Sequence, residues 1–139
     1  MTVPIEITDP KLVRAYAHPL RIQILGLLDD RVASPSEIAS ELGTPLSNTA
    51  YHVRQLASLG LVELVAERAR RGAVEHRYTA KVKPTVWDGV WARLPLVVKR
   101  SMVAAVLEET IREIVVAAEL IPRDAPHSRH NAHRKHDID

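Results

Sequence analysis

Two helix starts lie almost back to back in SPSEIASELGTPLSN, residues 34–48, and they constrain the fold more than any other feature. In the first, Ser34 is a favourable N-cap, Pro35 suits the first helical position, and Glu37 completes a capping box. This helix is predicted to end at Gly43, because glycine readily adopts the left-handed conformation that closes a helix.

The next helix is predicted to begin at once, with Thr44 as its cap and Pro45 as its first residue. Two short helices joined by so tight a turn indicate a helix-turn-helix unit. On the second helix, polar residues recur every three or four positions and form one stripe: Ser47, Tyr51, Arg54 and Ser58. The core side is predicted to hold Thr49, Val53 and Leu56.

The segments around this unit complete a small α+β fold, mainly α with one β-hairpin. Proline-led starts predict two earlier helices, over residues 10–17 and 19–29, and Asp9 is the predicted N-cap of the first. After Gly60 the pattern alternates, so LVELVAE and AVEHRYTA are predicted as strands joined by the turn RARRG. A two-stranded ribbon after a helix-turn-helix is a wing, and the fold class is therefore a winged helix-turn-helix.

The C-terminal part is predicted to form a helix over KPTVWDGVWARL, a break at Pro95, and a long helix ending near residue 121. Apolar residues cover more of the long helix than one packed face needs, which favours a dimerisation helix over a core helix. The dimerisation segment is about 84–121, and the residues assigned to this surface are Val98, Met102, Val106, Ile111, Ile114 and Val115. Charged residues along the long helix exclude a membrane span.

Composition limits the chemistry that this chain can perform. The sequence has no cysteine, which excludes disulfides, thiolate nucleophiles and cysteine-rich metal sites. Its glycines are isolated and no catalytic motif is present, so we expect neither an enzyme nor a cofactor. The start MTVPIEITDPKLVR lacks the features of a signal peptide, and we therefore expect a cytoplasmic protein.

Charge is distributed unevenly along the chain. The formal net charge is +2, but six Lys or Arg stand against three Glu between residues 44 and 81. This excess coincides with the predicted polar helix and hairpin, where it favours an anionic partner. A polar helix face is often only solvated surface, yet this context favours DNA, since such a helix fits the major groove.

The residue types suggest separate roles in DNA binding. The small polar groups of Ser47 and Asn48 at the helix start suit base edges or a phosphate, and Tyr51 suits a thymine methyl. The hairpin arginines suit phosphates or the minor groove. For His52, packing or one hydrogen bond is favoured over base contact. The predicted DNA-binding residues are Thr44, Ser47, Asn48, Tyr51, His52, Arg54, Gln55, Arg68, Arg70, Arg71 and Arg77.

Two other patterns have simple explanations. Trp87 and Trp91 are four residues apart, which on a helix favours packing over the lining of an effector pocket. The tail, residues 123–139, is polar and predicted to be disordered. Its histidines recur at every third position, but we favour a solvated basic tail over capture of Zn²⁺ or Ni²⁺: His127, His130, His133 and His136.

The stretches AHPLRIQILGLL, SEIASELGTPLSNTAYHVRQLASLGLVEL and HRYTA resemble the ArsR-type winged-helix transcriptional regulators, over about residues 12–80. The resemblance implies a homodimer formed by the first and last helices, which adds Leu12 and Tyr16 to the dimer surface. It also implies that the second helix of the helix-turn-helix unit and the wing bind an operator, and that an effector relieves repression. The chain lacks the cysteine pair and the Asp/His spacing of the metal sensors in that family, so no metal site is predicted.

Together these observations predict a winged helix-turn-helix domain over residues 1–122 that acts as a homodimeric, sequence-specific repressor on double-stranded DNA. Its operator is predicted to be an imperfect palindrome, because two identical helices would enter successive major grooves. The alternative is a protein–protein interaction module that uses the long C-terminal helix.

Overall fold

The computed structural model describes residues 2–85 and 89–123. Its elements, in chain order, are β1 (Val3–Glu6), α1 (Pro10–Tyr16), α2 (Pro19–Leu27), α3 (Pro35–Leu42), α4 (Leu46–Ser58), β2 (Val62–Arg70), β3 (Ala73–Ala80), β4 (Val82–Thr85), α5 (Val90–Arg93) and α6 (Leu96–Glu119). The pair α3–α4 followed by the β2–β3 hairpin is the predicted winged helix-turn-helix, and we call this hairpin the wing.

The helix ends follow the predicted capping signals closely. Asp9 accepts a hydrogen bond from the backbone N–H of Lys11 at 2.9 Å, and Ser34 accepts one from the N–H of Glu37 at 3.2 Å. Gly43 closes α3 with a φ of 65°. The second half of the predicted capping box is wrong, because the carboxylate of Glu37 instead accepts from Arg77.

The start of α4 differs from the prediction by one residue, since Pro45 is the N-cap and Leu46 the first helical residue. Thr44 does not cap the helix; its hydroxyl lies 2.7 Å from that of Thr49. Thr49 in turn donates to the carbonyl of Pro45 at 2.9 Å, so Thr44 is the donor to Thr49. The two hydroxyls therefore fix the tight turn between α3 and α4.

The main core lies where α1, α2, α3, α4 and the base of the wing meet. Its fully buried side chains include Leu12, Ile24, Leu28, Ile38, Val53 and Leu56. The core side of α4 is as predicted, with Thr49, Val53 and Leu56 all at 0% exposure. Burial of these side chains holds α4 by one side and leaves its opposite side free.

The wing is longer than predicted, and its turn is shorter. The antiparallel β2–β3 register runs from Val62 opposite Ala80 to Arg70 opposite Ala73. Only Arg71 and Gly72 form the turn, and both have positive φ, 50° and 80°. This is the backbone preference of a two-residue hairpin turn whose twist matches that of the strands. Arg68 and Arg70 consequently lie on β2 rather than in the turn.

A parallel pair of short strands, β1 and β4, was not predicted. Val3 lies opposite Val82 in this pair, and the N–H of Val3 donates to the carbonyl of Lys81 at 2.8 Å. The predicted helix over residues 83–94 is wrong at residues 83–85, because these belong to β4. α5 is a single turn that begins after Gly89.

The two tryptophans are not shown to share a helical face. Trp87 lies outside the described residues, and Trp91 is 47% exposed on α5. The histidine-bearing residues 124–139 also lie outside the described part of the chain.

A second, smaller core joins β1, α5 and the first turns of α6, and it consists of Ile7, Val90, Leu94 and Val98. Two residues of the predicted dimer surface, Leu12 and Val98, are 0% exposed inside the chain's own cores. Because neither side chain is exposed, neither can contact a partner, and both are removed from the predicted dimer surface. Tyr16 and Met102 are half-buried against this core, whereas Val106, Ile111, Ile114 and Val115 are exposed.

Candidate nucleic-acid interface

The outward side of α4 presents a continuous row of polar side chains. All of the residues predicted for the stripe are exposed, together with one at the start of the helix: Ser47, Asn48, Tyr51, Arg54 and Ser58. Tyr51 keeps 46% of its surface exposed, although its side chain is large. The row therefore offers hydroxyl, amide and guanidinium groups from one face of a helix that is anchored on its other side.

Three other predicted residues on or beside α4 are less accessible. Thr44 is half-buried, and its hydroxyl is engaged with Thr49. Gln55 is also half-buried, and its carbonyl accepts from the hydroxyl of Ser58 at 2.8 Å. His52 is half-buried and accepts a hydrogen bond at Nδ1 from Nε of Arg21 at 3.0 Å, so the predicted preference for one hydrogen bond at His52 agrees with the structure.

Arg21 was missed by sequence reasoning, although it lies directly beneath the polar helix. It is only 7% exposed, and it reaches His52 from α2, 31 residues earlier in the chain. His18, at the N-cap of α2, adds a ring whose centroid lies 5.5 Å from that of His52. No local signal joins positions so distant in sequence; only the packing of α2 against α4 brings them together.

The wing carries its arginines along one strand and at its tip. Arg68 and Arg70 are exposed on β2, and Arg71 is exposed at the turn. Arg70 also lies 3.7 Å from the carboxylate of Glu75, whose side chain is only 10% exposed. The side chain of Arg70 itself stays 62% exposed, so all three guanidinium groups can be approached by phosphate oxygens.

Arg77 differs from the other predicted DNA-binding arginines because its side chain is used inside the protein. Its Nη1 donates to Oε1 of Glu37 at 2.6 Å, and its Nη2 donates to the carbonyl of Val32 at 3.3 Å. Its side chain is only 22% exposed. We therefore remove Arg77 from the DNA-binding set and assign it to the attachment of the wing to α3.

Helix α4 and the wing face a common cleft of about 240 Å³. Ala50 and Arg54 line it from the helix, while Val74 and His76 line it from β3. Glu75 also lines the cleft, and its Oε2 is buried without a hydrogen-bond partner among the described residues. Helix α4, which is predicted to contact bases, and the wing, which is predicted to bind phosphates, thus lie side by side.

A family model described as a helix-turn-helix domain matches residues 16–65. The matched segment covers α2, α3, α4 and the first residues of β2. The match therefore includes both helices of the helix-turn-helix unit that the structure shows. In the general geometry of such domains the second helix of the pair enters the major groove, and here that helix is α4.

Solved structures of other proteins also resemble this chain. HlyU from Vibrio cholerae N16961 is 28% identical over 60% of this chain and 80% of its own, with a TM-score of 0.43. The cadmium metal-sensor CMTR from Mycobacterium tuberculosis is 27% identical over 84% and 93%, with a TM-score of 0.37. At such low TM-scores, these likenesses transfer no function to this chain. No curated protein sequence gives a significant match.

Residues 2–85 and 89–123 contain neither a candidate metal site nor a candidate membrane span. No group of three or more His, Cys, Asp or Glu side chains there is arranged to hold a metal ion. No helix in the same ranges is both long and apolar enough to cross a bilayer.

Proposed function

We propose that this protein is a sequence-specific, double-stranded DNA-binding transcriptional regulator of the ArsR type that acts as a homodimeric repressor in the cytoplasm. The observation that carries the proposal is the exposed polar row of α4 beside the arginines of the wing. A helix held in this way fits the major groove, and the adjacent hairpin reaches the phosphate backbone. The helix-turn-helix match over residues 16–65 supports the same function.

The roles divide by chemistry. Ser47, Asn48 and Tyr51 lie at the start of α4 and are assigned to base edges, because the N-terminal residues of such a helix approach the bases. Arg68, Arg70 and Arg71 are assigned to the backbone, where they bind all sequences alike. Arg54 lies between the two groups, in the cleft shared with the wing.

The homodimer is proposed from the exposed face of α6. Val103, Leu107, Ile111 and Ile114 recur along one side of this helix and are 50–61% exposed, while Val98, Ser101 and Ala105 are buried on the other side. A row of apolar residues at three- and four-residue spacing is the pattern by which two helices pack together. A second copy of the chain supplies a matching row, since a two-fold interface uses the same patch twice.

Dimerisation sets the form of the operator. Two α4 helices related by a two-fold axis enter successive major grooves about 34 Å apart, and the operator is then an imperfect palindrome. An effector that relieves repression stays a prediction from the family resemblance. A groove of about 660 Å³ between α2, β4 and α6 offers room for a small molecule.

Selection of duplexes from a random pool, followed by footprinting upstream of the protein's own gene, tests this function. We expect a protected palindrome, and we expect transcription from it to fall when the protein is expressed. The variant Asn48→Ala with Tyr51→Ala serves as the matched control, because it changes exposed side chains and leaves the core untouched.

The second candidate function is a protein-interaction module, which the exposed apolar face of α6 favours. Failure to select any duplex at low salt, together with a monomeric protein in solution, would favour this candidate. In that case the apolar face would be open to a different protein.

A further inference from the structure

A buried cation beneath α4 has a neutral partner instead of an acidic one. Arg21 is 7% exposed and forms no ion pair within the described ranges, although buried charges are ordinarily paired. Its Nε donates to Nδ1 of His52 at 3.0 Å. The side chain of His52 is thus held from below by one directed hydrogen bond.

This bond determines where His52 carries its proton. A ring nitrogen that accepts a hydrogen bond has no proton of its own, so the proton of the neutral ring resides on Nε2. Nε2 has no acceptor among the described residues and is not one of the buried unpaired atoms. It therefore presents an N–H donor to solvent from the second turn of α4.

The surroundings keep His52 neutral. Burial comes first and the charge of Arg21 second among the causes that lower the pKa of His52, and His18 adds to them. On its own helix the ring meets Tyr51 edge-on, with centroids 5.2 Å apart. The carboxylates of the neighbouring α3, Glu37 and Glu41, are engaged with Arg77 and Arg31.

We propose that Arg21 is a positioning residue for DNA recognition: it fixes His52 as the Nε2-protonated tautomer, whose N–H donates to an acceptor on the DNA. The acceptor is a base-edge atom, such as guanine N7 or O6 or thymine O4, or a phosphate oxygen. This inference rests on the proposed function. It adds Arg21, which is not on the exposed face of α4, to the residues that control DNA binding.

The first test uses the free full-length protein. Long-range ¹⁵N–¹H correlation spectra near neutral pH assign the tautomer of His52, which we expect to carry its proton on Nε2. In Arg21→Met the unbranched stem is retained but every guanidinium donor is lost, and we expect a mixture of the two tautomers. Far-UV circular dichroism confirms that the variant folds. A wild-type His52 protonated on Nδ1 would overturn the proposal without any DNA experiment.

The second test compares two amides at position 52 on a duplex selected with the wild-type protein. His52→Gln places an amide donor near the position of Nε2, whereas His52→Asn places its amide near Nδ1 and supplies no donor further out. Because one such hydrogen bond contributes about 1–2 kcal/mol, we expect Asn to weaken binding about tenfold for each protomer of the dimer and Gln to retain most of the affinity. Equal affinities for wild type and Asn would overturn the proposal.

The same variants identify the acceptor. If it is a base, His52→Asn relaxes the preference at one position of the selected duplex; if it is a phosphate, affinity falls by the same factor for every sequence. Complete absence of a selected duplex would instead remove the proposed function, and this inference with it. The tautomer spectrum distinguishes the two failures, because it is recorded without DNA.

Discussion

Nη1 of Arg77 on β3 donates to Oε1 of Glu37 on α3 at 2.6 Å, and this bond ties the wing to the first helix of the helix-turn-helix. A backbone bridge between Ala33 and Tyr78 lies beside it. Further along β3, the N–H of Ala80 and the hydroxyl of Thr79 both donate to the carbonyl of Leu28. These contacts together set the orientation of the wing relative to the body.

Arg77→Ala is expected to lower the free energy of unfolding by about 1 kcal/mol, because the Arg77–Glu37 pair is hydrogen-bonded but partly open to solvent. Urea denaturation measures the change. The matched control is Arg68→Ala, an exposed arginine on the other strand, for which we expect a change within about 0.5 kcal/mol. Equal losses in both variants would contradict the structural role of Arg77.

Substitutions on the wing and on α4 are expected to affect DNA binding differently. Arg71→Asn removes one phosphate-binding charge and keeps a residue that tolerates positive φ at the turn. We expect it to weaken all duplexes alike and to reduce the slope of log affinity against log salt by roughly 0.9 for each protomer, which is roughly 1.8 for the proposed dimer. Binding isotherms at several salt concentrations measure this slope.

Asn48→Ala is the counterpart on the helix. We expect it to leave the salt slope unchanged and to relax base preference, with a loss of about 1–3 kcal/mol confined to the cognate duplex. Competition between cognate and scrambled duplexes measures the specificity ratio. If Asn48→Ala and Arg71→Asn lowered this ratio equally, the division into base-reading helix and phosphate-binding wing would be wrong.

Stability is expected to decrease on mild acidification. Burial, followed by the charge of Arg21, lowers the pKa of His18 and of His52 below 6.5. As the pH falls, the unfolded chain therefore binds protons before the folded chain does. The stability that the two neutral histidines contribute is complete above pH 6.5 and is lost as the pH falls through the lowered pKa values. Thermal denaturation over roughly pH 5 to 8 measures the slope, which His52→Gln should flatten.

The oligomeric state is expected to depend on α6. Ile114→Glu places a carboxylate in the exposed apolar row, and we expect it to convert a dimer to a monomer in sedimentation analysis. Glu113→Lys, at the neighbouring exposed position, is the matched control and should leave the dimer intact. A wild-type monomer at micromolar concentration would contradict the proposed dimer.

Features encoded locally could be predicted from the sequence. The caps at Asp9 and Ser34 and the stop at Gly43 depend on residues within one helical turn, and all three are confirmed. The core side of α4 also follows from spacing alone, because Thr49, Val53 and Leu56 recur with the helical period. Much of the candidate interface was predictable for the same reason.

Features that depend on distant contacts could not be predicted. The strand β4 contains Pro84, which argues against a strand, yet an edge position tolerates proline. Its partner β1 is far away in sequence, so no local pattern joins the two. Arg77 and Arg21 illustrate the same limit: their residue type suggests a phosphate contact for the former and nothing for the latter, and their partners on other helices determine their roles.

The parallel pairing of Val3 with Val82 has a consequence for how the chain folds. Helices α1 to α4 and the wing lie between these two strands in the sequence, so joining the strands closes a very large loop. The entropic cost of that closure is offset only after the intervening segments have become compact. The strand pair should therefore form late in folding, as a clasp that closes around a helix-turn-helix already in place.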